Sequence, residues 1–215
     1  KKDGMKIFLD IDKFFDRPLK TTLQLYGEFQ VLNAALAALV VKSIFPDISE
    51  SIIEQGLNKT HLQARFEIIE KTDLLPKIII DGAHTFRSLN FTLETLEAMK
   101  FKKMNLIFSC AADKNMEQMI PLFFKSKTVF QNIFVTLPGF IKQGNFPQLK
   151  KLFSESVNKH KTKTKCFYNE NCLEAIKLAI ESSKKNNLPL LCIGSFYLAS
   201  ELKNEISSMI PNQEN

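Results

Sequence analysis

Short runs of Ile, Val, Leu and Phe that are apolar at every position constrain this chain more than any other feature. A strand with one wet face alternates apolar and polar residues, whereas a strand covered on both faces does not. Ile78-Ile79-Ile80 is the clearest such run. Candidate strands lie at 66–69, 77–80, 105–108, 132–135, 165–168 and 190–193; they are rich in Ile, Val, Leu and Phe, and several are apolar nearly throughout rather than alternating. Those near 78–80, 105–108, 132–135 and 190–193 are expected to be adjacent and mostly parallel.

Amphipathic segments separate them. Leu89, Leu93, Leu96 and Met99 recur at three- and four-residue steps, as do Leu149, Leu152 and Phe153. Leu173, Ile176, Leu178 and Ile180 repeat the pattern more loosely. Strand–helix alternation predicts a three-layer α/β fold, a mostly parallel (mixed) sheet with helices on both faces, over residues 62–215.

The first sixty residues read differently. Residues 5–11 and 21–25 look like two strands or strand ends. Residues 29–44 form a helix that is apolar nearly all round, which predicts burial on every side. Pro46 ends it. Asp47 or Ser49 can cap a short helix through Ile53, with Gly56 as its terminator. One buried helix under two short strands is too little for a domain. Residues 1–61 are therefore expected to be the C-terminal tail of a larger domain, with 60–64 as linker.

Bulk properties exclude several classes. The 215 residues are 45% hydrophobic, enough for a real core. No leader-like apolar segment opens the chain, and its longest apolar run, 34–41, is far shorter than a membrane span requires. The net charge of +6 gathers at Lys150, Lys151, Lys159, Lys161, Lys163 and Lys165. No nucleic-acid-binding motif accompanies it, so it reads as a solvated surface and no nucleic-acid partner is expected. Cys110, Cys166, Cys172 and Cys192 lack metal-site spacing. They predict free thiols in a reducing, cytoplasmic setting.

The segment 78–84 carries the most chemistry. An apolar strand runs into Asp81-Gly82-Ala83-His84 and then into a helix beginning near Thr85. That places a carboxylate and an imidazole at the C-terminal end of a parallel strand, where open α/β sheets bind ligands. Gly82 lets the backbone turn or approach a ligand closely, and the helix N-terminus favours an anion. A structural alternative fits equally well: Asp81 caps the helix and His84 lies on its first turn.

Five segments in order resemble the folylpolyglutamate/dihydrofolate synthases of the Mur ligase superfamily. Asp81-Gly82-Ala83-His84 is similar to that family's Asp-Gly-Ala-His-Asn-Pro. The stretch from Leu25 to Ala35, with Gln30 and Asn33, resembles Gly-x-His-Gln-x-x-Asn-Ala. Gly56-Leu57 and Ala64-Arg65-Phe66-Glu67 resemble Gly-Leu … Trp-Pro-Gly-Arg-Phe-Glu. Ser109 through Asp113-Lys114-Asn115 resembles Gly-x-x-x-Asp-Lys-Asp, and Gly194-Ser195-Phe196-Tyr197-Leu198 resembles Gly-Ser-Leu-Tyr-Leu. The chain departs at Phe29 (for His), Leu62 (for Trp), Ala64 (for Gly) and Thr85-Phe86 (for Asn-Pro). The arginine usual after a segment like Thr136-Leu137-Pro138 is missing, with Lys142 as the substitute.

The resemblance implies a C-terminal ligase domain preceded by the tail of a central ATPase domain. It implies ATP-dependent ligation of L-glutamate to folate or dihydropteroate through an acyl phosphate, by a cytoplasmic monomer. Asn33 would contact the adenine end of ATP, Arg65 the phosphates and Asp81 the ribose. His84 would be the catalytic residue, beside the phosphates and the incoming glutamate. Ser195 and Tyr197 would help form the glutamate pocket. No phosphate-binding G-x-x-x-x-G-K-[ST] loop occurs in the sequence. It and the Mg2+ ligands are expected upstream, with no metal site in these residues, so the isolated chain should be inactive.

Plainer readings stand beside these. Asn33 can bridge within its helix, Arg65 can pair with Glu67 or Glu70, Ser195 can cap the last helix, and Tyr197 can be core. At the level of function, the alternatives are a Mur-type ligase for another acid or a non-catalytic nucleotide-binding or scaffold module.

Overall fold

The computed structural model describes residues 4–11, 13–139 and 143–209. Lys142 lies outside them. The chain divides into two compact units, Lys1–Arg65 and Phe66–Asn215.

In the first unit, β1 (Met5–Leu9) and β2 (Leu19–Leu23) pair antiparallel, followed by α1 (Glu28–Ile44) and α2 (Glu50–Lys59). Ile7, Leu9, Leu19 and Leu23 meet Ala34, Ala38 and Ile53 in a small core. The expectation that α1 is buried all round is corrected. Only Gln30, Ala34 and Ala38 are buried, while Leu32, Leu36, Val40 and Ile44 are exposed. Ala34 and Ala38, with Val31, Ala35 and Val41 beside them, face the core, and the Leu32–Leu36–Val40–Ile44 stripe faces away, an asymmetry that an all-apolar composition hides. Gly56 does not stop α2, which continues to Lys59. Arg17 anchors the β1–β2 connection by donating from both of its terminal nitrogens to the two oxygens of Glu54, at 2.6 and 2.9 Å.

The second unit holds β3 (Glu67–Ile69), β4 (Ile78–Asp81), α3 (Phe86–Ala98), β5 (Lys103–Phe108), α4 (Met116–Lys125), β6 (Val129–Val135), α5 (Phe146–His160), β7 (Lys165–Tyr168), α6 (Cys172–Asn186), β8 (Leu190–Ile193) and α7 (Phe196–Met209). Among the described residues the sheet order is β3-β4-β8-β5-β6-β7, with β3 antiparallel and the rest parallel. This is the mixed, mostly parallel sheet expected. The connections β4–α3–β5, β5–α4–β6 and β6–α5–β7 all step in one direction across the sheet. Right-handed crossover therefore puts α3, α4 and α5 on one face. The chain then returns through α6 to β8, which puts α6 on the other face, and α7 packs against α6, β8 and β4.

Both faces are dry. Ile78, Ile79 and Ile80 are fully buried, as are Leu190, Leu191, Cys192 and Ile193. Each large side chain removed from water in this way contributes about 1.5–3 kcal/mol. On the α4/α5 face, Phe108, Phe123 and Phe153 pack ring against ring at 5.3–6.3 Å. On the α6 face, Asn105 and Asn132 satisfy each other and the Ser182 and Ser183 hydroxyls, so a buried polar pair costs little. The helix α4 has no counterpart among the amphipathic segments read from the sequence. Its buried residues Met116, Met119, Ile120 and Phe123 keep helical spacing, but Pro121 inside it lacks a helical donor and reads as a helix breaker in sequence.

Candidate functional site

Parallel pairing aligns Asp81 with Ile193 across β4 and β8. The turns that follow, Gly82–Ala83–His84 and Gly194–Ser195, therefore emerge side by side at the C-terminal edge of the sheet. From β4 the chain turns to α3 on one face, and from β8 it turns to α7 on the other. The strands thus part at a topological switch point, the place where such sheets open a crevice.

Asp81 is 3% exposed. Its Oδ1 accepts the Ala83 amide at 2.9 Å and its Oδ2 accepts the Thr92 hydroxyl at 2.9 Å. The carboxylate thus closes the turn and ties it to α3. It does not cap the helix: Thr85 does, in a reciprocal capping box with Ser88.

His84 precedes α3 and is half-buried. Its Nδ1 lies 2.8 Å from the Gly82 carbonyl oxygen, which can only accept. The contact therefore selects the tautomer with the proton on Nδ1 and leaves a lone pair on Nε2. The Phe196 ring meets the imidazole edge-to-face at 5.7 Å.

Ser195 caps α7, its Oγ accepting from the Tyr197 amide at 3.1 Å and the Leu198 amide at 3.5 Å. The hydroxyl hydrogen remains available to an acceptor. Tyr197 is 40% exposed and so is not core. Gly194 has φ +105°, and a Cβ there would strike the Ser109 carbonyl. The β8 turn is thereby locked against the end of β5.

The neighbouring strand ends complete the edge. Asn115, in the segment after β5, caps α4 by accepting from the Gln118 amide. The hydroxyls of Ser109 and Thr136, just past β5 and β6, are buried without a hydrogen-bond partner. Burial, with Asp113 nearby, pushes the Cys110 thiol up to about 12, and burial pushes Cys172 likewise to about 12. These sulfurs stay protonated and offer no thiolate nucleophile. Among the described residues, no group of three or more His, Cys, Asp or Glu side chains could hold a metal ion.

The structure thus brings Asp81, His84, Ser195 and Tyr197 to one edge. Asn33 and Arg65 belong to the other unit. Asn33 is exposed on α1 and donates to the Gln30 side chain at 2.9 Å. Arg65 stands between two residues in left-handed backbone, Ala64 (φ 52°) and Phe66 (φ 49°). Glu67 is held by Lys203 at 3.0 Å and Glu70 by Lys77 at 2.9 Å. Thr92 carries a contact at Asp81 that no motif in the sequence marks, and Phe196, though inside the Gly194–Leu198 motif, is assigned no role by it.

Comparison with known proteins gives the family and the fold. The family model described as dihydrofolate synthetase, C-terminal domain, matches residues 64–205. A probable bifunctional folylpolyglutamate synthase/dihydropteroate synthase of Haloferax volcanii is 23% identical over 188 residues, covering 86% of this chain and 20% of that protein. The folylpolyglutamate synthase of Lacticaseibacillus casei is 27% identical over 184 residues, covering 83% of this chain and 39% of its own length. In fold, the Mycobacterium tuberculosis folylpolyglutamate synthase complexed with ADP and AMPPCP superposes with a TM-score of 0.73 at 21% identity, over 87% of this chain and 42% of that one. The chain thus spans less than half the length of each of these relatives.

Proposed function

The chain belongs to the dihydrofolate synthetase C-terminal domain family, and from that premise we propose that it forms one wall of an ATP-dependent ligase joining L-glutamate to folate or dihydropteroate. The observation that carries the reading is the pairing of Asp81 with Ile193, which sets the His84 turn beside the Ser195 turn at a switch-point crevice.

In the proposed reaction the γ-phosphoryl group of ATP passes to the substrate carboxylate, giving an acyl phosphate and ADP. The glutamate amine attacks the carbonyl carbon, the amide forms, and phosphate and a proton leave. Catalysis is mainly positioning and charge neutralisation. Asp81, at the C-terminal end of β4, contacts the ribose. The bare Nε2 of His84 accepts a proton from the attacking amine or, once protonated, faces a phosphate oxygen. The Ser195 hydroxyl donates to a glutamate carboxylate, with Tyr197 beside it. Asn33 and Arg65 serve the adenine and phosphate ends of ATP from residues 1–65; the domain break expected after residue 61 enters the same proposal.

Among the described residues no group of three or more His, Cys, Asp or Glu side chains gathers, and the sequence has no phosphate-binding loop. The triphosphate cradle is accordingly assigned to residues outside those described, and the chain alone is expected to be inactive, as a cytoplasmic monomer. The test is ATP-dependent incorporation of labelled glutamate into dihydropteroate or folate by the product of the complete reading frame. Incorporation that His84→Ala abolishes supports the reading. Absence of glutamate incorporation with every pteroate substrate, in a folded protein, sinks it.

A further inference from the structure

We propose that Phe196 is a positioning residue for His84, setting the tautomer and orientation of the imidazole from the opposite side of the switch-point crevice. Three observations converge on it. The Phe196 ring lies edge-to-face with the imidazole at 5.7 Å. A Cβ at Gly82 would collide with the same ring, so the ring rests directly on the turn whose carbonyl oxygen holds His84 Nδ1 at 2.8 Å. Phe196 is itself fixed, being the first residue of α7, whose N-terminus Ser195 caps.

The consequence is mechanical. His84 sits on a short turn with one hydrogen bond to its own backbone, which by itself contributes only about 0.5–1.5 kcal/mol. The ring packs on the imidazole and on Gly82 together, so rotating His84 away loses both the hydrogen bond and the aromatic contact. The glycine at 82 has a packing reason independent of its backbone angles: a methyl group there would displace the ring. Phe196 is 39% exposed, so its outer face borders the crevice while its inner contacts hold His84. This inference rests on the ligase reading only for what His84 is positioned to do.

The test needs no ligand, so its failure is separable from failure of the ligase reading. Long-range proton–nitrogen NMR in alkaline solution resolves the tautomers of His61, His84 and His160. In the unaltered chain, His84 should show a protonated Nδ1, a bare Nε2 and ring-shifted carbon-bound protons. Phe196→Leu keeps the bulk but loses the ring, and should move His84 toward the Nε2–H form and abolish the ring shift. His160, stacked on Phe124, should be unchanged and reports that the fold is intact. Phe196→Tyr should restore the His84 signature. Gly82→Ala should lower the unfolding midpoint in the unaltered chain and much less in the Phe196→Ala background. A His84 tautomer and proton shifts unaltered in Phe196→Leu would overturn the proposal, as would equal effects of Gly82→Ala in both backgrounds.

Discussion

The Thr92 hydroxyl, in the middle of α3, donates to Asp81 Oδ2 at 2.9 Å inside the core. Helix and strand end are thereby joined by a polar contact where neither partner can turn to water. The position of the Asp81–His84 turn depends on α3 as well as on β4.

Replacing Thr92 with Val keeps the shape and removes this donor. A buried acceptor that loses a partner costs about 1–3 kcal/mol. Urea unfolding of Thr92→Val should show that loss, with amide shifts concentrated at 81–84. An unchanged midpoint would mean that Asp81 does not rely on this bond.

Gly194→Ala should be among the most damaging single substitutions in the second unit. Its φ of +105° disfavours any side chain, and the added methyl would meet the Ser109 carbonyl and the Phe108 ring. Backbone strain of about 1–3 kcal/mol adds to overpacking of about 1–3 kcal/mol. Thermal unfolding that barely changes would contradict the close approach of the β8 and β5 ends.

The first unit should lose stability in acid. The Arg17 guanidinium, hydrogen-bonded to Glu54, holds that carboxyl down to about 2 from its ordinary 4.5. A depressed carboxyl stabilises the folded state above its unfolded value and loses that contribution as pH falls toward the folded one. Half of the Arg17 side chain is exposed, so solvent screening weakens the effect. Between about pH 5 and pH 2, the stability gap between the native chain and Arg17→Met should shrink. A gap independent of pH would deny the ion pair this role.

Much of the second unit is legible in the sequence because a strand covered on both faces leaves an unbroken apolar run. Ile78-Ile79-Ile80 and Leu190-Leu191-Cys192-Ile193 announce themselves and, once recognised as parallel neighbours, bring Asp81 and Ser195 to one edge. The helix around Pro121 does not, because a proline argues against a helix even where Met116, Met119, Ile120 and Phe123 keep helical spacing. The exposed stripe Leu32, Leu36, Val40 and Ile44 was not legible either, since apolar composition does not say which face is covered. Phe196 on His84, and Thr92 on Asp81, are contacts between separate elements. Only the fold reveals them.

Nucleotide binding by the chain alone should be weak. A few exposed hydrogen bonds, each about 0.5–1.5 kcal/mol net, cannot offset the roughly 4 kcal/mol or more of rigid-body freedom lost on binding. The expected dissociation constant is about millimolar or weaker, equivalent to roughly −4 kcal/mol.

The central claim is that the C-terminal edge of the sheet is where this chain meets nucleotide and amino acid. The measurement that tests it most directly is amide NMR of the chain titrated with ATP and magnesium. Perturbations should concentrate at residues 81–85 and 194–198, saturate in the millimolar range, and diminish in Asp81→Ala. The opposite edge offers a fair rival, a cavity of about 320 Å³ beside Lys71, Lys77, Lys184 and Pro189. Perturbations centred there, with residues 81–85 and 194–198 silent, would contradict the account.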